Sequence, residues 1–175
     1  MNISGKLKKI LEENKDLINN NNFKKLYDKI SDPLLIGELT YVLYTSGINP
    51  LKYMNEIPFY FFYEITVPDD FLIPENITEI LPEAFTNARI DSIYIPKSVS
   101  IIGRNAFFGS DLRSISIDEF TNLSFNSLDG TRWLKTIAIR SKKAWAEIGG
   151  GLTKSAFLDS VGASSEVKIW IERET

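Results

Sequence analysis

The glycine-rich stretch GGGLTKS, residues 149–155, places a lysine and a serine close to three glycines, a composition also found in phosphate-binding loops. In such a loop a glycine stands directly before the Lys-Ser/Thr pair, so that backbone amides wrap the phosphates. Here Leu152 and Thr153 separate the glycines from Lys154. The stretch is therefore interpreted as a flexible loop inside an insertion, residues 141–151, rather than as a nucleotide site.

Carboxylates offer the next candidate chemistry, at Asp69, Asp70 and Glu75. No glycine-punctuated calcium loop surrounds them, and residues 69–76 are interpreted as a second, solvated insertion. The chain contains no cysteine and no histidine, which excludes thiolate and imidazole metal sites and histidine acid–base catalysis. We therefore predict a protein that is not an enzyme, with no catalytic residue, no metal site and no cofactor. An enzyme that uses carboxylates or the glycine-rich insertion is kept as an alternative.

The charge balance restricts the class of partner. The 175 residues include 20 Lys or Arg and 23 Asp or Glu, for a net charge of −3. Such a chain has no general attraction for nucleic acid or anionic lipid. Charges interrupt residues 1–20, which lack the continuous apolar run of a signal peptide or membrane span. We predict a cytoplasmic protein that binds another protein, without nucleic-acid or membrane binding, and leave its oligomeric state open.

The elements that must position any site change character near residue 60. Before that point, apolar residues recur at helical spacing: Ile3, Leu7, Ile10, Leu11, Leu17 and Ile18 form the first stripe. An asparagine run at 19–22 interrupts the stripe, and the pairs Asp32-Pro33 and Asn49-Pro50 have the pattern of a capping residue followed by proline. We predict a small bundle of three or four helices over residues 1–60.

After residue 60 the chain repeats a short phrase. FYEITVP at 62–68 is followed by IDSIYIP at 90–96, LRSISID at 112–118, LKTIAIR at 134–140 and EVKIWIE at 166–172. The step is 22 residues from Ile90 to Leu112 and again to Leu134, with longer first and last steps. A second landmark follows the first four phrases: Ala84-Phe85, Ala106-Phe107, a degenerate Leu128-Asp129, and Ala156-Phe157. We predict five short strands over residues 61–175.

The alternation within each phrase explains why the chain repeats. Ile93 and Ile95 alternate with polar neighbours, so one face of the strand is buried and the other is exposed. One coil cannot bury its apolar face alone, whereas stacked coils line their isoleucines into a continuous core. The fold class is therefore predicted as α/β: a short right-handed solenoid with a parallel strand ladder, preceded by a helical cap.

The stretch IDSIYIPKSVSIIGRNAFFGSDLRSISI resembles the BspA-type leucine-rich repeat. The positions that carry the resemblance are Ile90, Ile93, Ile95, Pro96, Val99, Ile102, Gly103, Ala106 and Phe107. The resemblance implies a solenoid whose strand surface recognises proteins. The helical front half, with SGINPLKYMNEIP, is similar to segments that precede such repeats in some bacteriophage-encoded proteins, which implies action in the host cell cytoplasm.

The exposed face of the strand column is the predicted protein-binding site. Its first two files of side chains are Thr66, Tyr94, Ser116, Ala138 and Trp170, beside Glu64, Ser92, Ser114, Thr136 and Lys168. Pro68, Pro96, Asp118, Arg140 and Glu172 form a third file. The aromatic Trp170 is either an interface anchor or a cap over the end of the core.

These observations favour a non-enzymatic interaction module, interpreted as a small intracellular factor that binds and modulates a partner protein. A phage-encoded inhibitor of a host or defence protein is one example of such a factor. A structural or assembly component is a further alternative. The sequence does not identify the partner.

Overall fold

The computed structural model describes residues 3–118 and 121–172. Its helical front comprises α1 (Gly5–Glu13), α2 (Lys15–Asn19), α3 (Phe23–Tyr27), α4 (Pro33–Thr45) and a 3-10 helix (Pro50–Tyr53). Both predicted caps are confirmed, because the Asp32 carboxylate accepts a hydrogen bond from the Leu34 N–H and the Asn49 amide oxygen accepts one from the Leu51 N–H. The last predicted helix is only one 3-10 turn, since the backbone becomes extended at Met54.

Two parallel sheets follow, and three successive coils contribute one short strand to each of them. The first sheet orders β1 (Glu56–Ile57), β2 (Glu79–Ile80), β4 (Ile101–Ile102) and β6 (Asn122–Leu123). The second sheet orders β3 (Ser92–Ile95), β5 (Ser114–Ile117), β7 (Thr136–Ile139) and β8 (Lys168–Ile171). This architecture confirms the predicted α/β solenoid with a parallel strand ladder.

The register of the second sheet confirms the repeat from the second phrase onward. Ile93 pairs with Ile115, Ile115 with Ile137, and Ile137 with Ile169. All four isoleucines are buried, and the step of 32 residues into the last strand is correct. The isoleucines therefore share one interior, as the alternation predicted.

The alignment of the first phrase is wrong. The Phe62 N–H donates to the carbonyl of Ala84, at 2.8 Å, and Thr66 forms an isolated parallel bridge with Arg89. Residues 62–68 are therefore neighbours of 85–91, and not of 90–96. The cause is that Phe62 belongs to the aromatic column of the turns, where its ring stacks on Phe85 with centroids 4.8 Å apart.

The aromatic column runs through the first coils. The Phe85 and Phe107 rings also stack with centroids 4.8 Å apart, a separation that matches the spacing of paired strands. The next coil places Leu128 at this position, because the Phe107 N–H donates to Ser127 and the Leu128 N–H donates to Val161. The predicted landmarks Leu128-Asp129 and Ala156-Phe157 are therefore out of register, the first by one residue.

Each turn between the sheets is bounded by two residues with a left-handed backbone, four positions apart. The first of each pair has φ of 56°, 61°, 55° and 57° at Tyr60, Glu83, Asn105 and Asn126. The second has φ between 54° and 71° at Glu64, Asn87, Gly109 and Gly130. Asparagine and glycine recur here because they adopt this conformation at the lowest cost. Glu64 thus ends a turn and does not lie in a strand.

The predicted flexible loop at 149–155 is wrong in part, because α6 (Lys154–Val161) already begins at Lys154, and the insertion before the glycines contains helix α5 (Lys142–Ile148). Ser141 caps the first helix and Thr153 caps the second, each side chain accepting a backbone N–H hydrogen bond. Between the helices the Trp145 and Phe157 rings meet edge to face, with centroids 5.3 Å apart. The hairpin thereby fills the interior beside the last coil.

The helical front contacts the first coil through aromatic side chains. The Tyr27 ring lies 5.1 Å from Phe61, and Tyr44 lies 6.0 Å from Phe62, measured between centroids. Burial raises the pKa of Tyr27, whose hydroxyl shares a hydrogen bond with Thr40. The solenoid already uses residues 56–57 in β1, before the predicted boundary at residue 60. That these helices act as a cap stays a prediction.

Candidate binding surface

The exposed face of the second sheet carries two files of side chains in strict register. The first file joins Ser92, Ser114, Thr136 and Lys168, and the second joins Tyr94, Ser116, Ala138 and Trp170. The isoleucines between them point inward and are buried. The structure therefore brings these eight predicted residues together. It does not bring Glu64 and Thr66 into these files, because the first phrase is displaced by several residues.

An ion-pair row follows the carboxyl ends of the strands. The Arg140 guanidinium lies 3.2 Å from the Glu172 carboxylate and 4.0 Å from that of Asp118. These three residues were predicted as part of the third file, and their contacts join three successive coils. One guanidinium thus lies between two carboxylates at this edge of the face.

Tyr94 is coupled to the same row. Its side chain is 39% exposed, and partial desolvation raises the pKa of its hydroxyl above the usual value. A hydrogen bond to Asp118 raises the pKa further. The Tyr94 side chain therefore lies next to the ion-pair row, with part of its ring exposed on the outer face of β3.

The amino ends of the same strands carry a second rim, which the sequence reasoning missed. A cleft of about 520 Å³ lies between Trp133 and Trp170 and is also lined by Arg132, Lys135, Glu166 and Lys168. A neighbouring cleft of about 450 Å³ shares Trp133 and is lined by Arg89, Asp91, Asp111 and Arg113. In that neighbour the Arg113 guanidinium pairs with Asp91 at 3.2 Å. The two clefts form one groove across the coils.

The sequence held a signal for this groove. Arg89, Asp111 and Trp133 occupy the position directly before three successive phrases, and none of them lies in a strand. Only residues within the repeated phrases were assigned to the exposed face, so this row, which directly precedes the phrases, was overlooked. The equivalent position carries a charged residue in the two preceding repeats and is therefore expected to face solvent. Trp133 is accordingly expected to be exposed as well.

Trp170 lies on the exposed side of β8 with 61% of its side chain accessible. The buried residues of the neighbouring segment are instead Phe157, Leu158 and Val161 in α6. The exposure argues against the end-cap interpretation. A contact between this tryptophan and a partner stays a prediction.

The chemistry considered for metals and phosphates finds no arranged site in the described parts of the chain. There, no group of three or more Asp or Glu residues is placed to hold a metal ion. The Lys154 ammonium, which a phosphate loop would require, donates to the carbonyl of Ile169 at 3.1 Å. None of the helices within residues 3–118 and 121–172 has the length and apolar content of a membrane span.

Residues 45–169 match the family model described as the BspA type leucine rich repeat region, in six copies. No curated protein and no solved structure matches the chain. The family match agrees with the repeat and with the two-sheet coils. The matched region begins at residue 45, before the predicted boundary at residue 60, which agrees with the position of β1.

Proposed function

The chain belongs to the BspA-type leucine-rich repeat family, and from this premise we propose that it is a non-enzymatic protein-binding module. Leucine-rich repeats generally mediate protein–protein interaction, and solenoids present extended surfaces for this purpose. The observation that carries the proposal is the exposed face of the second sheet, whose two files remain in register over four strands. Such a face can contact a partner along several coils at once.

The composition of this face suits protein recognition. Small polar side chains occupy its centre, and the aromatic residues Tyr94 and Trp170 lie at its two ends. Aromatic residues are enriched among those that contribute most to binding energy, and small neighbours allow a partner to approach closely. The face therefore combines two anchors with a flat surface between them.

A finer role is proposed from the helical front. The similarity of the helical front to segments of some bacteriophage-encoded proteins favours a small intracellular factor that binds and modulates a host or defence protein. An enzyme is disfavoured by the Lys154 contact, because that ammonium is held against the backbone of β8.

Affinity capture from a bacterial extract tests the proposal. The variants Tyr94→Ala and Trp170→Ala should each reduce recovery of a stoichiometric partner, with a loss in affinity of about tenfold or more, because both side chains are exposed anchors. Phe125→Ala is the matched control, since this aromatic side chain is 65% exposed and lies outside the second sheet. Melting temperatures of all three variants should stay close to that of the unaltered chain.

Two outcomes would contradict the proposal. If Tyr94→Ala and Trp170→Ala retain the partner as well as Phe125→Ala does, the second sheet is not the contact surface. If light scattering instead shows that the chain self-associates at micromolar concentration and captures nothing, the assembly alternative replaces the module.

A further inference from the structure

The cleft between Trp133 and Trp170 differs in charge from the rest of the molecule. Three cationic residues line it, Arg132, Lys135 and Lys168, against the single carboxylate of Glu166. The whole chain carries a net charge of −3. The cleft is therefore a local positive region on an acidic protein, which favours a partner group of opposite charge.

These three cations have no ion-pair partner among residues 3–118 and 121–172. The ion pairs of that part of the chain involve other basic residues, namely Lys9, Lys24, Arg113 and Arg140. The neighbouring cleft shows the contrast, because there Arg113 is paired with Asp91 and two acidic residues balance two basic ones. The lining of the Trp133–Trp170 cleft therefore has an excess of positive charge, whereas that of the neighbouring cleft is balanced.

Two exposed tryptophan side chains line the cleft together with the cationic residues. Trp133 is 59% exposed and Trp170 is 61% exposed, and both line the same cleft. A tryptophan side chain exposes a large apolar surface, and burying it against an apolar group of a partner is favourable. The site therefore combines apolar walls with cationic edges.

We infer that this cleft binds an acidic segment of a partner protein, one that carries an apolar side chain between its carboxylates. The apolar side chain lies between Trp133 and Trp170, and the carboxylates meet Lys168, Lys135 and Arg132. The volume of about 520 Å³ is within the range of established ligand clefts and accommodates one large side chain with its neighbours. This inference rests on the proposed function and specifies the chemistry of the partner.

A nucleic acid fits the cleft less well than an acidic peptide. A phosphate backbone is a continuous anion that would extend past Glu166 and along the carboxylates of Asp91 and Asp111 in the adjoining groove. An acidic peptide can place its carboxylates only where cations are present. The observed mixture of charges therefore favours a peptide.

Tryptophan fluorescence and calorimetry with synthetic peptides test the inference. The probe is an acetylated peptide that alternates Glu with Leu, and the reference is the same peptide with Lys in place of Glu. We expect saturable binding of the acidic peptide that weakens as salt is added, and no saturable binding of the basic one. Trp133→Ala and Lys168→Glu should each lower the affinity about tenfold or more.

Lys97→Glu is the matched control for charge. It changes the net charge by the same amount as Lys168→Glu, but Lys97 is an exposed residue following the carboxyl end of β3, away from the cleft. It should retain the affinity of the unaltered chain within about twofold, since exposed charges at a distance are screened. Equal losses in both charge variants would show a nonspecific effect of net charge and would overturn the inference.

Other outcomes also overturn it. Tighter Trp133-dependent binding of a single-stranded oligonucleotide or an oligosaccharide would assign the cleft to another ligand class. If the acidic peptide does not bind while a protein partner is still captured in a Tyr94-dependent manner, the inference fails and the proposed function stands. If that capture also fails, the proposed function fails separately.

Discussion

The early and late coils of the solenoid build the same interior by different means. In the early coils, Phe62, Phe85 and Phe107 stack in one buried column with centroids 4.8 Å apart. In the late coils, Leu128 takes the position of the repeated phenylalanine, and the hairpin of α5 and α6 adds the rings of Trp145 and Phe157. The difference shows that a coil can lose its repeated aromatic residue when an insertion supplies apolar volume from outside the repeat.

The largest expected effect comes from removing an aromatic ring from the early column. Phe85→Ala should lower the free energy of unfolding by about 3–5 kcal/mol, because the ring is fully buried between two others. Leu128→Ala in the late coil should cost about 2–4 kcal/mol, since fewer buried atoms are removed. Urea unfolding followed by circular dichroism measures both values.

The exposed Phe125→Ala variant controls for the loss of an aromatic residue as such, and it should change the stability by less than about 0.5 kcal/mol. If Leu128→Ala proves more destabilising than Phe85→Ala, the aromatic column is not the stronger part of the interior. The comparison between early and late coils would then be reversed.

A smaller effect is expected from the close approach of two early coils at Gly103. A Cβ atom there would lie 2.5 Å from the backbone nitrogen of Pro82, so Gly103→Ala must push the coils apart. We expect a loss of about 1–3 kcal/mol in urea unfolding, as for other overpacked interiors. Gly5→Ala in α1 meets no atom within 4 Å and should be neutral or stabilising. A Gly103→Ala variant as stable as Gly5→Ala would show that the coils are not in tight contact.

The smallest effect is expected at the exposed ion-pair row that joins the last coil to its neighbours. Arg140→Ala should cost less than about 1 kcal/mol, because its partners Asp118 and Glu172 are partly exposed to solvent. The cost should shrink further at high salt, where exposed charges are screened. Arg104→Ala, at an exposed arginine in an early turn, is the matched control in the same unfolding assay. A larger, salt-independent loss at Arg140 would show that charges, and not apolar packing, hold the last coil.

The sequence was sufficient to predict the second sheet from Ile93 onward. A strand that is buried on one side requires strict alternation, and a shift of one residue would expose every isoleucine. The caps at Asp32 and Asn49 were equally predictable, because a short side-chain acceptor before proline satisfies free N–H groups at a helix start. The second sheet and the two helix caps were therefore predictable from constraints that act within a few neighbouring residues.

The first phrase was misplaced because alternation alone does not distinguish a strand from the end of a turn. Residues 62–68 alternate in the same way as 90–96, yet Phe62 fills the aromatic column and Glu64 has a left-handed backbone. Pairs of left-handed residues four positions apart would have given the correct alignment. The sequence does not reveal this pattern at Tyr60 and Glu83, because these residue types adopt a left-handed backbone less readily than asparagine, which stands at the equivalent positions of the later coils.

The hairpin of α5 and α6 was missed for a related reason. The glycine run at 149–151 dominated the interpretation, although Ser141 and Thr153 both stand before helical segments as capping residues. The groove at Trp133 was missed because its signal, the residue directly before each phrase, becomes visible only when several repeats are compared. It forms only where the turns that precede several strands come together across the coils.

The paired left-handed residues also bear on how such a chain changes in length over evolutionary time. Because each turn is closed locally and successive coils share the same hydrogen-bonding pattern, a cut at equivalent points joins compatible ends. Loss of residues 88–109, for example, would connect Asn87 to Ser110, which is the residue that follows the equivalent left-handed position at Gly109. Duplication or deletion of a whole repeat can therefore lengthen or shorten the solenoid by one coil, while the sequences of the remaining coils stay unchanged.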